Sequence, residues 1–190
     1  MNVYLCGERR TGKSTAAAAL TEAFGLREVS ITTPLYEIAR QYFGMTEKDR
    51  ALLQKVGDAF RNVETDWLIR NVLRAAESGQ GAVCADVRLP REGEVLRAAG
   101  WIGLRIERAR EHQSAAILAA GESLTGEQSQ HATETQVRLV PVDGVVFNRG
   151  TPEELALTVV DVVNAIARAN GINAGASRQR PYSLGLAPAT

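Results

Sequence analysis

The chain carries the stretch Gly7-Glu8-Arg9-Arg10-Thr11-Gly12-Lys13-Ser14, directly after the apolar run Val3-Tyr4-Leu5-Cys6. The spacing is that of a G-x-x-x-x-G-K-S phosphate loop, in which backbone N–H groups converge on phosphate oxygens at the start of a helix. An alanine-rich helix is predicted from Ser14 to Phe24, so strand, loop and helix follow in the order that this loop requires. The sequence therefore predicts binding of a nucleoside triphosphate rather than a chance glycine-rich turn.

The loop residues have individual predicted roles. Lys13 would reach the β- and γ-phosphates, and the Ser14 hydroxyl would ligate the Mg²⁺ ion that bridges them. The predicted ATP-binding residues around these two are Gly7, Arg9, Arg10, Thr11, Gly12 and Thr15. Because kinases, motors, switches and ATP-dependent assemblies all use this loop, the rest of the chain has to distinguish between them.

Composition narrows the class of protein. The 190 residues, 45% of them hydrophobic, suffice for one α/β domain. The 22 acidic and 22 basic residues balance, which disfavours helicases and packaging motors and predicts no nucleic acid polymer as partner. No apolar stretch approaches the roughly 20 residues of a membrane span, and no signal peptide precedes the first strand, so we expect a cytoplasmic protein without a membrane partner. Cys6 and Cys84 lie in apolar runs and are expected to be free and buried.

Apolar runs rich in β-branched residues alternate with helical patterns. The predicted strands are Asn2–Cys6, Glu28–Ile31, Ala82–Ala85, Ile102–Ile106 and Gly144–Phe147. Their alternation predicts an α/β, three-layer P-loop NTPase fold with a five-stranded parallel sheet and helices on both faces. An apolar stripe predicts a helix over Trp67–Ala76, and a capping box at Thr151-Pro152-Glu153-Glu154 begins a last helix that ends near Asn170.

Two connections are longer than a simple crossover requires. We expect a domain over residues 1–170, with an acceptor-binding helical insertion at about 32–81 and a lid at about 108–140. Residues 171–190 are rich in glycine, alanine, serine and proline without periodicity, which predicts a disordered tail.

Asp86 follows the third predicted strand, and Arg88 comes two residues later. In extended chain the two side chains project to the same side, at the carboxyl edge of the sheet where ligands bind in this class of fold. Asp86 can orient the water shell of Mg²⁺ or the acceptor. The alternative is a structural Asp–Arg pair at a strand end.

In the first insertion, Gln54 and Arg61 are seven residues apart and share one face if residues 52–61 are helical. Arg40 lies on the preceding helix. Such a face can grip a second phosphate group, because arginine offers a planar fork of donors. From the residues alone, an ordinary solvated face with an Asp58–Arg61 pair is the favoured interpretation.

In the second insertion, three arginines, Arg105, Arg108 and Arg110, end or follow the fourth strand, ahead of a polar stretch, Gly121–Gln136, that contains His131 and Glu134. Arginines that close over a phosphate chain neutralise developing charge and exclude water. His131 and Glu134, two residues at i,i+3 spacing without a third ligand, indicate a polar lid hinge rather than a metal site.

Taken in order, these residues resemble the phage-type deoxynucleoside monophosphate kinases, within the nucleoside monophosphate kinase superfamily. The resemblance extends to about Asn170. Its pieces are the Gly7–Ser14 loop, Leu53-Gln54-Lys55-Val56-Gly57 with Arg61 and Trp67, Ala85-Asp86-Val87-Arg88 with Glu92 and Glu94, Arg105-Ile106-Glu107-Arg108, His131-Ala132-Thr133-Glu134, and Val142-Asp143 through Asn148-Arg149-Gly150-Thr151.

The resemblance implies a kinase that moves the γ-phosphoryl group of ATP onto a deoxynucleoside 5′-monophosphate, with Mg²⁺ as cofactor. Catalysis would fall to Lys13, Asp86, Arg88 and Arg108. The implied acceptor-binding residues are Arg40, Gln54, Arg61, Trp67, Asp86 and Arg88, with Arg61 and Arg88 on the phosphate. The implied lid residues are Arg108, Arg110, His131 and Glu134. Asn148, Gly150 and Thr151 would border the adenine, and Ser14 and Asp86 would serve the metal, directly or through water.

The chain departs from the family pattern at Asp58, where threonine is usual, and Arg61 comes early, so the accepted bases stay open.

The alternatives are a kinase of another small acceptor, such as dephospho-coenzyme A or a sugar acid, and a non-catalytic ATP-binding protein. A GTPase switch is disfavoured because the chain has no Asn-Lys-x-Asp motif. A phage-encoded protein would act in the host cytoplasm, and a homodimer is one option for its assembly.

Overall fold

The computed structural model describes residues 1–77, 79–109, 112–114, 117 and 135–172. Strands and helices alternate along these residues. In chain order they are β1 (Val3–Cys6), α1 (Lys13–Phe24), β2 (Arg27–Val29), α2 (Thr33–Phe43), α3 (Arg50–Val63), α4 (Trp67–Ala76), β3 (Ala82–Val87), α5 (Pro90–Ala98), β4 (Ile102–Arg108), a 3₁₀ turn (Val137–Leu139), β5 (Gly144–Asn148) and α6 (Pro152–Ala169).

The five strands form one sheet in the order β2-β3-β1-β4-β5, and all neighbouring pairs are parallel. This confirms the predicted fold class. The central strand β1 is buried along its whole length, which explains why the segment is apolar without alternation. Among the described helices, none is both long and apolar enough to span a membrane.

Apolar clusters cover both faces of the sheet. Side chains alternate along β1, so that Val3 and Leu5 join the cluster under α1 and α6. Tyr4 and Cys6 join the cluster under α2 to α5. Cys6 and Cys84 are free and buried, as predicted. Burial raises the pKa of the Cys6 thiol to about 11, so this group stays protonated at neutral pH.

Several boundaries differ from prediction for identifiable reasons. Strand β3 runs on to Val87, so Asp86 lies inside the strand instead of following it. Strand β2 ends at Val29, because the Ile31 N–H donates to the side-chain carboxylate of Asp86 in β3 (3.0 Å) and not to a backbone carbonyl of that strand.

The predicted helices are confirmed where the structure describes them. Helix α4 has the predicted bounds, residues 52–61 are helical within α3, and Thr151 caps α6 through a capping box with Glu154. The predictions for Arg110, His131 and Glu134, and for residues 173–190, fall outside the described residues.

Parallel strands bring their carboxyl ends to one edge. Strand β1 leads into the phosphate loop, β3 into Arg88, β4 ends at Arg108 and β5 ends at Asn148. In open α/β sheets this edge is where ligands bind. The fold therefore gathers most of the predicted chemistry on one side of the molecule.

Candidate active site

Two glycines allow the tight turn of the phosphate loop. Gly7 has φ 144° and Gly12 has φ 107°, conformations that L side chains rarely adopt. A Cβ at Gly7 would lie 2.3 Å from the Ile106 carbonyl oxygen, and one at Gly12 would lie 2.7 Å from Asn148 Nδ2. Backbone conformation and available space thus both require glycine at these positions.

Side chains from distant parts of the chain hold the loop in place. Asn148 Nδ2 donates to the Thr11 carbonyl oxygen at 2.9 Å, and Gln113 Nε2 donates to the Arg9 carbonyl oxygen at 2.8 Å. Arg138 Nε donates to Glu8 Oε1 at 2.6 Å. The loop is therefore positioned before any ligand binds, which limits the entropy lost on binding.

The ammonium group of Lys13 lies against the loop itself. Its Nζ donates to the carbonyl oxygens of Gly7 (2.9 Å) and Glu8 (2.6 Å). Lys13 is also the first residue of α1, so its amine and the positive end of the helix act on the same place. This is the arrangement from which a loop lysine meets the outer phosphates of a nucleotide.

A cavity of about 620 Å³ opens beside the loop, within the usual range of small-molecule sites. It brings together many of the residues that the sequence predicted for the site. Those that line it are Arg9, Arg10, Gly12, Lys13, Ser14, Thr15, Asp86, Arg88, Arg108, Asn148 and Gly150.

Three predicted ATP-binding residues lie elsewhere. Gly7 and Thr11 border a smaller cavity, of about 40 Å³, on another side of the loop. The Thr151 hydroxyl accepts the Glu154 N–H at 3.3 Å and so caps α6. Their contribution to the site is to shape the backbone around the larger cavity.

Four predicted acceptor-binding residues, Arg40, Gln54, Arg61 and Trp67, do not line the larger cavity. Arg61 pairs with Asp58 (3.3 Å) and with Glu92 (3.5 Å). The ring of Trp67 stacks on Phe60 with 4.4 Å between centroids.

The other two predicted acceptor-binding residues, Arg40 and Gln54, also lie away from the larger cavity. The Arg40 guanidinium lies 5.8 Å from the centre of the Tyr36 ring, and Gln54 is half-buried on α3. The Asp58–Arg61 pair that the residues alone predict is present. An acceptor role for these four residues stays a prediction that the geometry does not favour.

Sequence reasoning missed five polar or charged residues among those described that line the cavity, namely Glu28, Ser30, Thr32, Lys48 and Arg50. The first three belong to the end of β2 and the loop that follows it. The sequence could have predicted these three residues, because the carboxyl end of a second parallel strand must lie at the same edge of the sheet as the phosphate loop. Lys48 and Arg50 come from the connection between α2 and α3, which has no periodic pattern to place it.

The Asp86 carboxylate holds the loop between β2 and α2. Its Oδ2 accepts from the Ser30 hydroxyl (2.6 Å), the Thr32 hydroxyl (2.9 Å) and the Thr32 N–H (3.1 Å). Its Oδ1 accepts from the Ile31 N–H (3.0 Å) and the Cys84 thiol (3.2 Å). Five donors use the roughly four lone-pair positions of a carboxylate, so Asp86 fits poorly as a direct metal ligand.

Ser14 fits Mg²⁺ better than Asp86 does. It lines the cavity beside Lys13 in the first turn of α1, where its hydroxyl can ligate an ion held by phosphates. Across the described residues, no three His, Cys, Asp or Glu side chains gather into a metal site. A metal bound here would take most of its oxygen ligands from phosphate and water, as Mg²⁺ in kinases does.

Glu92 fixes the backbone next to Arg88. The residue is only 6% exposed, and its Oε2 accepts the N–H groups of Arg88 (2.9 Å) and Leu89 (3.0 Å). Burial raises the pKa of this carboxyl, while the two N–H donors and Arg61 oppose that shift. Arg61 thus serves the site indirectly, as the counter-charge of a residue that positions Arg88.

No protein-family model matches the chain, and no curated protein matches it at a significant level. Solved structures of similar fold exist. One is a gluconokinase from Sinorhizobium meliloti 1021, with 14% identity, a TM-score of 0.60, and coverage of 90% of this chain and 96% of that chain.

Two further structures are similar over most of their length. Shikimate kinase from Aquifex aeolicus has 15% identity and a TM-score of 0.54, covering 88% of this chain and 99% of its own. Deoxyadenosine kinase from M. mycoides, solved with dCMP and dCDP bound, has 12% identity and a TM-score of 0.53, covering 87% and 100%. The chain therefore has the fold of the P-loop kinases.

Proposed function

We propose that the protein is an ATP-dependent phosphotransferase, and that its acceptor is a deoxynucleoside 5′-monophosphate. The observation that carries the proposal is one cavity shared by the phosphate loop and by two arginines, Arg88 and Arg108, from other strand ends. A protein that only binds ATP does not need these two arginines in addition to the phosphate loop. Additional arginines suit a site that holds a donor phosphate chain and an anionic acceptor next to each other.

On the donor side, the loop N–H groups and Lys13 hold the phosphates of ATP. Asn148 supports the donor side from beside the loop. It lines the cavity, and its Nδ2 donates to the Thr11 carbonyl oxygen at 2.9 Å, which holds the loop in the form that meets the phosphates. Ser14 would hold Mg²⁺, which neutralises charge on the β- and γ-phosphates.

The transfer itself needs little covalent chemistry from the protein. Phosphoryl transfer passes through a loose transition state, so in-line positioning and charge stabilisation supply most of the acceleration. Lys13 stabilises the phosphoryl group from the loop, and Arg108, at the end of β4, does so from the side of the predicted lid. Exclusion of water by that lid would prevent hydrolysis of ATP in place of transfer.

A kinase of another small acceptor is the second candidate. Gluconokinase and shikimate kinase are among the structures that share the fold. The cationic side chains around the cavity suit a sugar acid as well as a monophosphate, because both carry an anionic group.

The test is release of ADP from ATP and Mg²⁺ with each deoxynucleoside and ribonucleoside monophosphate added singly, with gluconate and shikimate as further acceptors, and with no acceptor. We expect strong stimulation by a subset of the deoxynucleoside monophosphates. The Lys13→Ala variant is the control and should lose roughly 10²–10³-fold or more in turnover while keeping its circular dichroism spectrum. Stimulation by a sugar acid alone would contradict the choice of acceptor, and uniform ADP release would contradict the kinase.

A further inference from the structure

Two of the cavity residues that the sequence did not single out are basic. Lys48 precedes α3, and Arg50 is its first residue. Both line the same cavity as Lys13 and Arg88. They come from the helical insertion between β2 and β3, the part of the chain predicted to bind the acceptor, whereas Lys13 belongs to the phosphate loop.

The charge around the cavity exceeds what the donor needs. Among the described residues, seven cationic side chains and two carboxylates line it, a formal excess of five positive charges, although the whole chain has a formal net charge of zero. ATP bound to Mg²⁺ carries about two negative charges. The remaining positive charge, concentrated in a low-dielectric cleft, favours a second anion beside the nucleotide.

Both cations have contacts within the fold, since the Lys48 ammonium lies 6.0 Å from the centre of the Tyr36 ring and Arg50 also has a partner, but the helix end beside them does not favour positive charge. Helix α3 has 14 residues and no acidic residue in its first turn, so the helix dipole opposes positive charge at that end. Asp49 caps the helix, its Oδ1 accepting the Leu52 N–H at 3.0 Å. Lys48 and Arg50 thus stand on either side of the cap, where an anion in the cavity would offset their unfavourable position.

The arginine that the family resemblance offers for the same task is engaged elsewhere. Arg61 pairs with Asp58 and Glu92 and borders a small cavity of about 30 Å³ together with Asp66 and Arg91. Moving it to the acceptor would leave the buried Glu92 without its counter-charge, a costly change.

We propose that Lys48 and Arg50, together with Arg88, form the subsite that binds the anionic group of the acceptor, and that this group is a phosphate monoester. The assignment rests on the proposed phosphotransferase function. A guanidinium binds two phosphate oxygens at once and an ammonium adds a point charge. Three cations match a dianionic phosphate better than a singly charged carboxylate.

The experiment compares Lys48→Gln, Arg50→Gln and the double variant with Lys55→Gln. Lys55 is exposed on the same helix and does not line the cavity, so its variant removes one charge from the same helix as a matched control. Calorimetry measures binding of Mg²⁺–ATP, of each deoxynucleoside monophosphate, of the unphosphorylated nucleosides and of gluconate. ADP release gives the KM for ATP and for the acceptor.

We expect the double variant to bind the monophosphates at least tenfold more weakly, with Mg²⁺–ATP affinity changed by less than about twofold. Binding of the unphosphorylated nucleosides should not change, and Lys55→Gln should behave as the wild type. Unchanged monophosphate binding in the double variant overturns the subsite, as does an equal loss for ATP and acceptor, or a loss confined to gluconate.

The same data separate the subsite from the proposed function. If no monophosphate stimulates ADP release but the double variant still loses monophosphate binding, the subsite stands and the kinase activity is wrong. If monophosphates stimulate ADP release and the double variant keeps wild-type KM values, the kinase stands and the subsite is wrong.

Discussion

Among single residues, Asp86 shows how one carboxylate can shape a site by holding the loop beside it. Its carboxylate accepts from Ser30, Thr32 and the Ile31 backbone, and so fixes the loop between β2 and α2. That loop lines the cavity through Ser30 and Thr32. A metal ligand at Asp86 would have to break some of these bonds, each a charge-assisted interaction.

Asp86→Asn tests this positioning role. The asparagine amide would place a donor against hydroxyls and N–H groups that are themselves donors, so we expect a loss of about 1–3 kcal/mol in the free energy of unfolding. The KM for the acceptor should rise more than that for ATP, and the Mg²⁺ concentration for half-maximal activity should stay close to wild type. Urea titration and ADP release measure these quantities. An increased Mg²⁺ requirement with unchanged stability would instead make Asp86 a metal-binding residue.

The position of Arg61 away from the cavity shows what the sequence does not predict for a single residue, namely which neighbour its side chain meets. The spacing of Gln54 and Arg61 predicts a shared face on α3, and α3 is a helix. Periodicity does not tell which neighbour that face meets. Only the fold places the buried Glu92 beside Arg61, and a buried carboxylate attracts an arginine more strongly than an open cavity does. Lys48 and Arg50 were missed for the converse reason, since a non-periodic connection has no face to predict.

At the scale of elements, apolar patterning predicted nearly everything that a parallel sheet requires. Buried strands such as β1 are continuous apolar runs, and α4 shows a stripe of buried residues at Leu68, Ile69 and Val72. The sequence predicts the ends of the strands less well, because the last residues of a strand can be polar. Asp86 belongs to β3 and Arg108 to β4, since pairing with a neighbouring strand extends the ladder beyond the apolar run.

The start of α5 offers a pH-dependent test through Glu92. Burial raises the pKa of the Glu92 carboxyl above its ordinary value of 4.5, so the folded protein holds this proton more tightly than the unfolded chain does. The protonated Glu92 carboxyl contributes its full share to stability at pH values below the pKa of the unfolded chain. That contribution is lost as pH rises through the pKa of Glu92 in the folded protein. Glutamine does not titrate. The free energy of unfolding of Glu92→Gln minus that of the wild type should therefore increase as pH rises from about 4 to about 7, so the variant becomes relatively more stable.

The control for this measurement is Glu94→Gln on the same helix, where the side chain is 58% exposed. Urea unfolding of the three proteins at several pH values gives the comparison. The pH trend of Glu92→Gln should exceed that of Glu94→Gln, because only the Glu92 side chain is buried. Equal pH trends in the two variants would show that burial of Glu92 is not the cause.

For the whole molecule, stability and function draw on different regions. The apolar clusters lie between the sheet and its helices, whereas the cavity occupies the carboxyl edge. The balanced charge of the chain coexists with a strong local excess of positive charge in that cavity. Local focusing of charge attracts a small anion even though the whole chain carries no net charge.

The same division predicts the outcome of truncation. Among the described residues, those that line the larger cavity lie between Arg9 and Leu155, and the Ile172 N–H still donates to the Ala167 carbonyl oxygen at 2.8 Å. A variant that ends at Ile172 should therefore keep acceptor-stimulated ADP release within about twofold of the full chain, with an unchanged unfolding midpoint.

A second truncation, ending at Ala169, provides the comparison, because it also removes the side chain of Ile172 that packs against the cluster under α1 and α6. Loss of this half-buried contact should cost about 1 kcal/mol in the free energy of unfolding, while the KM values stay near wild type because the cavity is intact. Activity that falls tenfold in the Ile172 variant, at unchanged stability, would mean that residues 173–190 take part in the site. A fall in both variants that follows their loss of stability would instead extend the structural core beyond Ile172.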